Sequence, residues 1–397
     1  MALPLSDIKV VDITQVFAGP FAGMLLADQG ADVIKIEPLD GDSSRVTVPY
    51  LPDVVGMGIR FVAFNRNKRS IALNFSKPKG REVLYELLRR ADVLVINMRV
   101  SARQRAGLNY EEVSAVNPRL IYAAITGFGE YGPDADLPGS DIRIQHVSGD
   151  LAARQIITGT LPPHTMLFHF DMAAPMLLVY GVMLALRQRE DTGVGQKVDT
   201  SLLQAAMASQ SVNMARRAGA TANYGVVPTA PSTYRCGDGR YIQLQAGRDG
   251  GGQWESIYHK LGLDYLTKDP AYDTPAKRTQ KADEIRQILL RQFATKPAAE
   301  WKALLNADEH IASMVQEISE VYEDPQVVAN GMLTQFEQPG LGPVTVVNVP
   351  FQMSATSHES RFRRPVPRLG EHTVEVLQEL GRSPEEIRSL RAEGVIL

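Results

Sequence analysis

The chain has 397 residues, of which 44% are hydrophobic and 22% charged, and its formal net charge is −3. This composition is typical of a globular protein and excludes disordered and fibrous classes. So small a net charge favours neither nucleic acid nor an anionic membrane as a partner. The single cysteine, Cys236, excludes an intramolecular disulfide and a cysteine-rich zinc site.

The length predicts two domains. Residues 1–7 have neither the basic start nor the apolar core of a signal peptide. The longest apolar run, 172–186, contains Pro175 and is shorter than the roughly 20 residues that a membrane span needs. We therefore expect a cytoplasmic protein that has no membrane partner.

Strand and helix patterns alternate in the first third of the chain. Strands are predicted at 8–14, 32–37, 70–73, 93–97 and 120–126, and helices at 21–29, 79–90 and 110–116. Such alternation predicts right-handed βαβ units and a doubly wound parallel α/β sheet. Ligands of such sheets bind beyond the carboxyl ends of the strands. The loops expected to carry chemistry are therefore 15–20, 38–45, 97–105 and 127–138.

Basic residues are concentrated around these loops, at 66, 68, 69, 99, 103 and 105. They are interpreted either as a solvated basic face or as an anion site. The helix that begins after loop 15–20 would add backbone N–H groups to an anion site.

The rest of the chain predicts a smaller domain and a return to the first one. A helix that is apolar on every face is predicted at 175–189, followed by a strand and helix from 197 onward. The segment 217–231 has the composition of a linker. A β-hairpin at 232–244 precedes helices at 254–261, 281–292 and 298–305, then a strand-like stretch at 339–351 and a last helix at 373–380. The predicted domains are 1–216, a small α+β domain at 232–325, and a return segment at 326–397 that completes the large domain.

Two familiar catalytic patterns are disfavoured. Residues 127–132 spell G-x-G-x-x-G, but Pro133 follows where a dinucleotide fingerprint must open a helix. No G-x-S-x-G elbow is present, and Cys236 adjoins a predicted turn, which argues against an acyl-serine or acyl-cysteine enzyme.

Asp171 is the leading nucleophile if the chemistry is covalent. It stands immediately before fifteen residues without a charged side chain. Its spacing from His164 and His169 matches no metal motif, and we expect no metal. The alternative interpretation is a helix N-cap, which would also hold the carboxylate ionised and oriented.

The chain resembles the class III coenzyme A transferases, the family of formyl-CoA:oxalate and carnitine CoA-transferases, to which the α-methylacyl-CoA racemases are related. Each matching segment is short, and the specificity lies in their order and spacing. The segments are 18–20, 30–37, 67–70, 91–93, 97, 117–119, 127–129, 148–149, 185–186, 192–196, 324–325 and 369–373.

The resemblance implies that Asp171 attacks an acyl-CoA thioester and then carries CoA as an aspartyl thioester until a second carboxylic acid takes it. Coenzyme A is then a substrate, and no cofactor is bound permanently. The family fold implies a Rossmann-like large domain, a small domain and an interlocked homodimer. The implied coenzyme A contacts are Val16, Lys68, Arg69, Asn97 and Arg105.

The chain departs from relatives around the expected substrate pocket, to which we assign Phe17, Ser140, Asp141 and Phe170. Formyl-CoA transferases have Gln at Phe17 and Arg at Pro38, and glycine commonly precedes the aspartate where this chain has Phe170. Glycines 250–252 follow a strand instead of preceding one, so their equivalence to the family's lid stays open. Racemases have His at Ser140, which disfavours proton abstraction here. The alternatives are an α-methylacyl-CoA isomerase and a noncatalytic subunit of a heteromeric CoA-transferase.

Overall fold

The computed structural model describes residues 3–46, 57–158, 161–215, 218–219, 232–244, 253–307, 312–356 and 361–397. The chain forms two compact units. The larger comprises Met1–Ile156, Thr160–Val226 and Ala329–Leu397, and the smaller comprises Ile157–Gly159 and Val227–Val328. The predicted linker lies outside the described residues apart from 218–219, and the predicted domain boundaries stay a prediction.

The first part of the larger unit alternates strands and helices. Its strands are β1 (Lys9–Ile13), β2 (Asp32–Glu37), β3 (Lys68–Ala72), β4 (Val93–Ile96), β5 (Ile121–Thr126) and β6 (Lys197–Ser201). Its helices are α1 (Ala18–Asp28), α2 (Ile59–Phe64), α3 (Pro78–Arg90), α4 (Val100–Ala106), α5 (Tyr110–Val116), α6 (Asp141–Val147), α7 (Asp150–Thr158), α8 (His169–Thr192), α9 (Leu202–Ser209) and α10 (Ser211–Met214). Short helices such as α2 and α4 were not predicted, because six or seven residues scarcely display a helical period.

The six strands form one parallel sheet in the order β3-β2-β1-β4-β5-β6, which confirms the predicted α/β architecture. Helices cover both faces, and the strands consist largely of buried apolar residues. The winding reverses between β1 and β4. A crevice at the carboxyl ends of these two strands is therefore the expected ligand site.

Two glycines let α1 lie directly against β1. A Cβ atom on Gly19 would stand 2.4 Å from Cβ of Thr14, and one on Gly23 would stand 2.5 Å from Oδ2 of Asp12. Any larger side chain would push the helix away from the sheet. The close packing holds the first turn of α1 at the point where the winding reverses.

Helix α8 begins six residues before its predicted start and packs on β5, β6 and α1 through Ala174, Leu178, Val182 and Ala185. Its opposite face leaves large apolar side chains exposed, so the prediction of a helix buried on every face is wrong for the single chain. Those side chains are Met176, Leu177, Tyr180 and Leu184. By length and composition alone α8 could cross a membrane, a test that the core helix of a soluble protein also passes. The apolar run is therefore part of a longer helix than the sequence indicated.

The smaller unit has its own antiparallel sheet and core, and it confirms the predicted hairpin. Its strands are β7 (Thr233–Arg235), β8 (Tyr241–Leu244) and β9 (Ala312–Met314), in that order across the sheet. The helices of this part are α11 (Gln253–Lys260), α12 (Asp264–Lys268), α13 (Pro275–Gln280), α14 (Ala282–Phe293), α15 (Ala298–Leu305), α16 (Ile318–Val321) and α17 (Pro325–Ala329). Trp301 centres the core, with its ring edge-on to Phe293 and its indole N–H donating to the Phe293 carbonyl.

The C-terminal segment returns to the larger unit. It contains the hairpin β10 (Leu333–Gln338) and β11 (Gly342–Val347), then α18 (Thr373–Glu379) and α19 (Pro384–Ala392). Apolar residues of both helices join the core beneath the sheet, among them Val376, Leu377 and Ile387. Asn67, in the left-handed region with φ 64°, accepts hydrogen bonds from the backbone N–H groups of Arg363 and Arg364. This asparagine joins the return segment to the start of β3.

Candidate active site

A pocket of about 710 Å³ opens at the carboxyl ends of β1, β2, β4 and β5, where the winding reverses. Apolar side chains form much of its wall, and Asp141 and Asp171 supply its carboxylates. The described residues that line it are Ile13, Gln15, Val16, Phe17, Ala18, Ile36, Pro38, Phe75, Asn97, Met98, Arg99, Ala102, Ile125, Thr126, Gly127, Ala135, Leu137, Gly139, Ser140, Asp141, Ile142, Phe168, Asp171 and Leu202.

Asp171 is the third residue of α8, and a different residue caps this helix. The Oδ2 atom of Asp141, the first residue of α6, accepts hydrogen bonds from the N–H groups of Phe170 at 2.5 Å and Asp171 at 3.0 Å. The interpretation of Asp171 as an N-cap is therefore wrong. Because Asp141 satisfies the backbone donors, the Asp171 side chain is available to the pocket.

The environment of Asp171 opposes its ionisation. Burial raises the pKa of this carboxyl, and the negative charge of Asp141 raises it further, to about 7. This contradicts the expectation that cap geometry keeps the group ionised. A carboxyl with a pKa near neutrality exchanges its proton within the working pH range, which is a common property of reactive groups.

Asp141 is itself positioned by a buried amide. Its Oδ1 atom accepts a hydrogen bond from Nε2 of Gln145 at 2.6 Å, and the same nitrogen donates to the carbonyl of Thr165. The side-chain oxygen of Gln145 accepts from the N–H of Thr165 at 2.8 Å. Gln145 thus connects α6 to the segment that leads into α8.

The aromatic wall of the pocket differs from the one predicted. Phe17 and Phe168 both line the pocket, with ring centroids 4.8 Å apart. Phe170 is only 4% exposed and packs in the core with Ala174 and Leu178. The expectation that Phe170 flanks the Asp171 carboxylate is therefore wrong, because the helical turn directs Phe170 into the core and leaves Phe168 at the pocket.

The loop after β1 is strained and held by three polar contacts. Val16 has φ 74°, a conformation that a β-branched residue rarely adopts. Its N–H donates to Oδ1 of Asp42 at 3.2 Å. Gln15 and Asn97 exchange hydrogen bonds, N–H to Oδ1 at 3.1 Å and Nδ2 to the carbonyl at 2.8 Å. The structure therefore places Val16 and Asn97 in the pocket, where coenzyme A contacts were predicted.

Lys68 and Arg69 lie elsewhere and cannot serve as predicted. The buried ammonium group of Lys68 donates to Asp12, Asn65 and the Pro20 carbonyl, which occupies all three of its donors. Arg69 is ion-paired with Asp32, Glu375 and Glu379, where it joins α18 to the sheet. Both cations are buried in polar contacts with other elements of the fold, and neither lines the pocket. The basic run 65–69 misled the prediction because a sequence pattern does not distinguish buried cations from exposed ones.

Arg99 is one of the basic residues noted in the loops but is not among the predicted coenzyme A contacts. It lines the pocket directly after β4, at the N-cap position of α4. Its position in the loop 97–105, which follows a strand at the expected ligand site, was the sequence feature that could have identified it. The predicted contact Arg105 is exposed on α4 and does not line the pocket, and Arg103 is buried in an ion pair with Glu130 at 2.8 Å.

Ser140 and Asp141 begin α6 at the pocket, and the hydroxyl of Ser140 caps that helix by accepting from the N–H of Arg143. The preceding loop returns on itself, because a Cβ atom on Gly127 would lie 2.4 Å from Cα of Gly139. The glycines at 127–132 thus serve a loop and not a helix start, as the sequence indicated. Glycines 250–252 lie outside the described residues. In the described part of the chain, no three His, Cys, Asp or Glu side chains are grouped as a metal site requires.

Comparisons with known proteins identify the group to which this chain is related. Residues 5–373 match CoA-transferase family III. The chain is 34% identical to the succinate–glutarate CoA-transferase of Agrobacterium fabrum, over 95% of this chain and 96% of that protein. It is 30% identical to the (R)-2-hydroxy-4-methylpentanoate CoA-transferase of Clostridioides difficile, over 99% of both. The crystal structure of a CaiB/BaiF family protein from Brucella suis superposes with a TM-score of 0.82 at 30% identity, over 96% of this chain and 100% of that one. The chain belongs to CoA-transferase family III and is an enzyme of that class.

Proposed function

We propose that this enzyme transfers coenzyme A from an acyl-CoA to a free carboxylic acid through an aspartyl-CoA thioester on Asp171. The observation that carries the proposal is the Asp171 carboxylate itself. It lies in the pocket at the reversal of the sheet, and its neighbouring backbone donors are satisfied by Asp141.

The proposed reaction exchanges carboxylates and thiolates without a net proton transfer. An oxygen of ionised Asp171 attacks the thioester carbonyl of the donor, the carbon–sulfur bond breaks, and a mixed anhydride and CoA thiolate form. The thiolate then attacks the aspartyl carbonyl of the anhydride, releasing the first acid as its carboxylate and leaving aspartyl-CoA thioester. The acceptor carboxylate repeats the two exchanges in reverse order and regenerates Asp171.

The pocket suits this chemistry because much of its wall is apolar. Phe17, Phe168 and Leu202 line the same pocket as Asp171. Such a wall limits the access of water, which would hydrolyse an anhydride or a thioester. Activated intermediates would then survive until the acceptor acid reacts.

One arginine in the pocket wall and an exposed arginine on the helix that follows it support the binding of a phosphorylated substrate. Arg99 lines the pocket and Arg105 is exposed on the same helix, α4. The first turn of α1 also begins at the pocket, with Ala18 in its wall. Guanidinium groups and helix N-termini both favour phosphate oxygens. We assign the diphosphate or 3′-phosphate of coenzyme A to this region.

We further propose that the protein works in the cytoplasm as an interlocked homodimer. The exposed apolar face of α8 supports an interface with a second copy, since Met176, Leu177, Tyr180 and Leu184 lie on one stripe of a helix whose other side is buried. Light scattering should give twice the chain mass, and Tyr180→Glu should lower it towards the monomer. A wild-type monomer would contradict the proposal.

The isomerase alternative receives no support at Ser140. Its hydroxyl is engaged in capping α6, and no histidine is among the described residues that line the pocket. A proton abstraction at the α-carbon would thus lack the base that racemases place there.

The test measures acceptor-dependent CoA transfer by the purified chain. Asp171→Asn keeps the shape of the side chain and should reduce transfer by at least about 10³-fold, since it removes the nucleophile. Asp191→Asn is the matched control, because Asp191 is exposed in the last turn of the same helix. Full transfer by Asp171→Asn would refute the proposal. A wild-type chain that binds CoA tightly but transfers it to no acid would favour a noncatalytic subunit.

A further inference from the structure

The rings of Phe17 and Phe168 form a pair in the pocket, and the backbone at or next to each ring has a positive φ. Among the described residues, only three that are not glycine have a positive φ. Val16 (φ 74°) immediately precedes Phe17, and Phe168 itself has φ 51°. Such conformations are costly for β-branched and aromatic residues and persist where the surrounding structure imposes them, often at functional sites. The two strained turns come from different parts of the chain and deliver two rings to the same pocket.

The Phe17–Phe168 pair also contacts residues that do not line the pocket. Phe17 also packs edge-on against Phe64 at 5.8 Å, and the guanidinium of Arg60 lies 5.2 Å from the Phe17 centroid and 5.7 Å from that of Phe168. Arg60 is not among the residues that line the pocket. Its guanidinium contacts both rings through cation–π interactions, which stabilise their arrangement.

The charges of the pocket disfavour an acid with a second carboxylate. Among the described lining residues, the carboxylates of Asp141 and Asp171 face only one cation, Arg99. The hydrocarbon rings of Phe17 and Phe168 offer no hydrogen-bond donor to a second carboxylate. Two further arginines of this region are engaged elsewhere: Arg143 donates to the carbonyl of Pro138, and Arg154 is paired with Asp150.

We infer that the Phe17–Phe168 pair is the acyl-group subsite of this enzyme, and that it selects acids with one carboxylate and an apolar side chain, aryl groups included. The inference rests on the proposed CoA transfer and adds its substrate class. The carboxylate of the acceptor meets Asp171-bound CoA, while its side chain packs against the two rings. Apolar burial and ring stacking then supply the selectivity.

The experiment measures kcat/KM for CoA transfer to four acids: 3-phenylpropanoate, 4-methylpentanoate, glutarate and acetate. The wild type should prefer 3-phenylpropanoate over glutarate by at least about tenfold. Phe168→Leu and Phe17→Leu remove a ring but keep apolar bulk. Each should lower kcat/KM for 3-phenylpropanoate about fivefold more than for 4-methylpentanoate or acetate, because only the aryl acid loses ring stacking. Circular dichroism shows whether each variant is folded.

Phe362→Leu is the matched control, because Phe362 stacks on Phe336 at 4.5 Å and does not line the pocket. It should leave the order of the four acids unchanged. A wild-type preference for glutarate would overturn the inference, as would equal losses for all four acids in both ring variants. These outcomes retain CoA transfer and so leave the proposed function intact. The absence of transfer to every acid would overturn both.

Discussion

The raised pKa of Asp171 predicts a steep loss of activity on mild acidification. With a pKa of about 7, the ionised fraction of this carboxyl falls from about 90% at pH 8 to about 3% at pH 5.5. The rate of its attack on a thioester should therefore fall about 30-fold over that range. An aspartate at its ordinary value of 3.8 would remain almost fully ionised, and its rate would barely change.

The assay is a single-turnover reaction in which the enzyme is in excess over acyl-CoA and no acceptor acid is present. The acid released from the donor is quantified by mass spectrometry from pH 5 to pH 8.5. Circular dichroism at each pH confirms that the protein stays folded. Asp141→Asn should move the acid limb to lower pH, because it removes the negative charge that contributes to the raised pKa. A rate that is constant between pH 5.5 and pH 8 would refute the reasoning.

Four substitutions test further predictions about stability and binding. Asp171→Asn should raise the free energy of unfolding by about 1–2 kcal/mol at pH 8, after allowance for solvent screening, as measured by urea denaturation. The folded-state pKa of about 7 lies above the unfolded value, so the wild type loses this stability as the pH rises from about 4 through 7, and the advantage of the variant shrinks on acidification. Asp141→Ala should cost about 3 kcal/mol, because two backbone donors of α8 lose their acceptor. Lys68→Met should lower the free energy of unfolding by about 3–5 kcal/mol, because it leaves Asp12 buried without its partner. Arg99→Gln should raise the KM for acyl-CoA about tenfold and change the free energy of unfolding by less than about 0.5 kcal/mol. Equal effects of the last two variants on KM would contradict their assigned roles.

Local patterns were sufficient to predict the architecture and the edge of the sheet at which the pocket opens. β2 was predicted at 32–37 and α15 at 298–305, and both have those bounds. The alternation of strands and helices follows from hydrophobic periods that each segment carries by itself. The loop that contains Val16 and the one that contains Asn97 could be placed at the pocket, because parallel strands direct their carboxyl ends to the same edge.

The predictions that were wrong concern residues whose roles depend on tertiary contacts, which no local sequence pattern encodes. The sequence around Lys68 is that of an exposed basic segment, whereas in the fold its ammonium group is buried against Asp12 and Asn65. The cap of α8 is Asp141, thirty residues away in sequence, so Asp171 took its place in the prediction. The choice between Phe168 and Phe170 depended on where the helix starts, and a shift of two residues turns a side chain from the core to the pocket.

The proposed aspartyl-CoA thioester is tested most directly by identifying which residue, if any, becomes covalently modified during turnover. Enzyme incubated with acyl-CoA is quenched with hydroxylamine and digested, and the peptide that contains Asp171 is sequenced by mass spectrometry. A hydroxamate on Asp171 is expected when acyl-CoA is present and not when acyl-CoA is omitted. A hydroxamate on another carboxylate, or transfer without any covalent adduct on the protein, would contradict the proposed thioester.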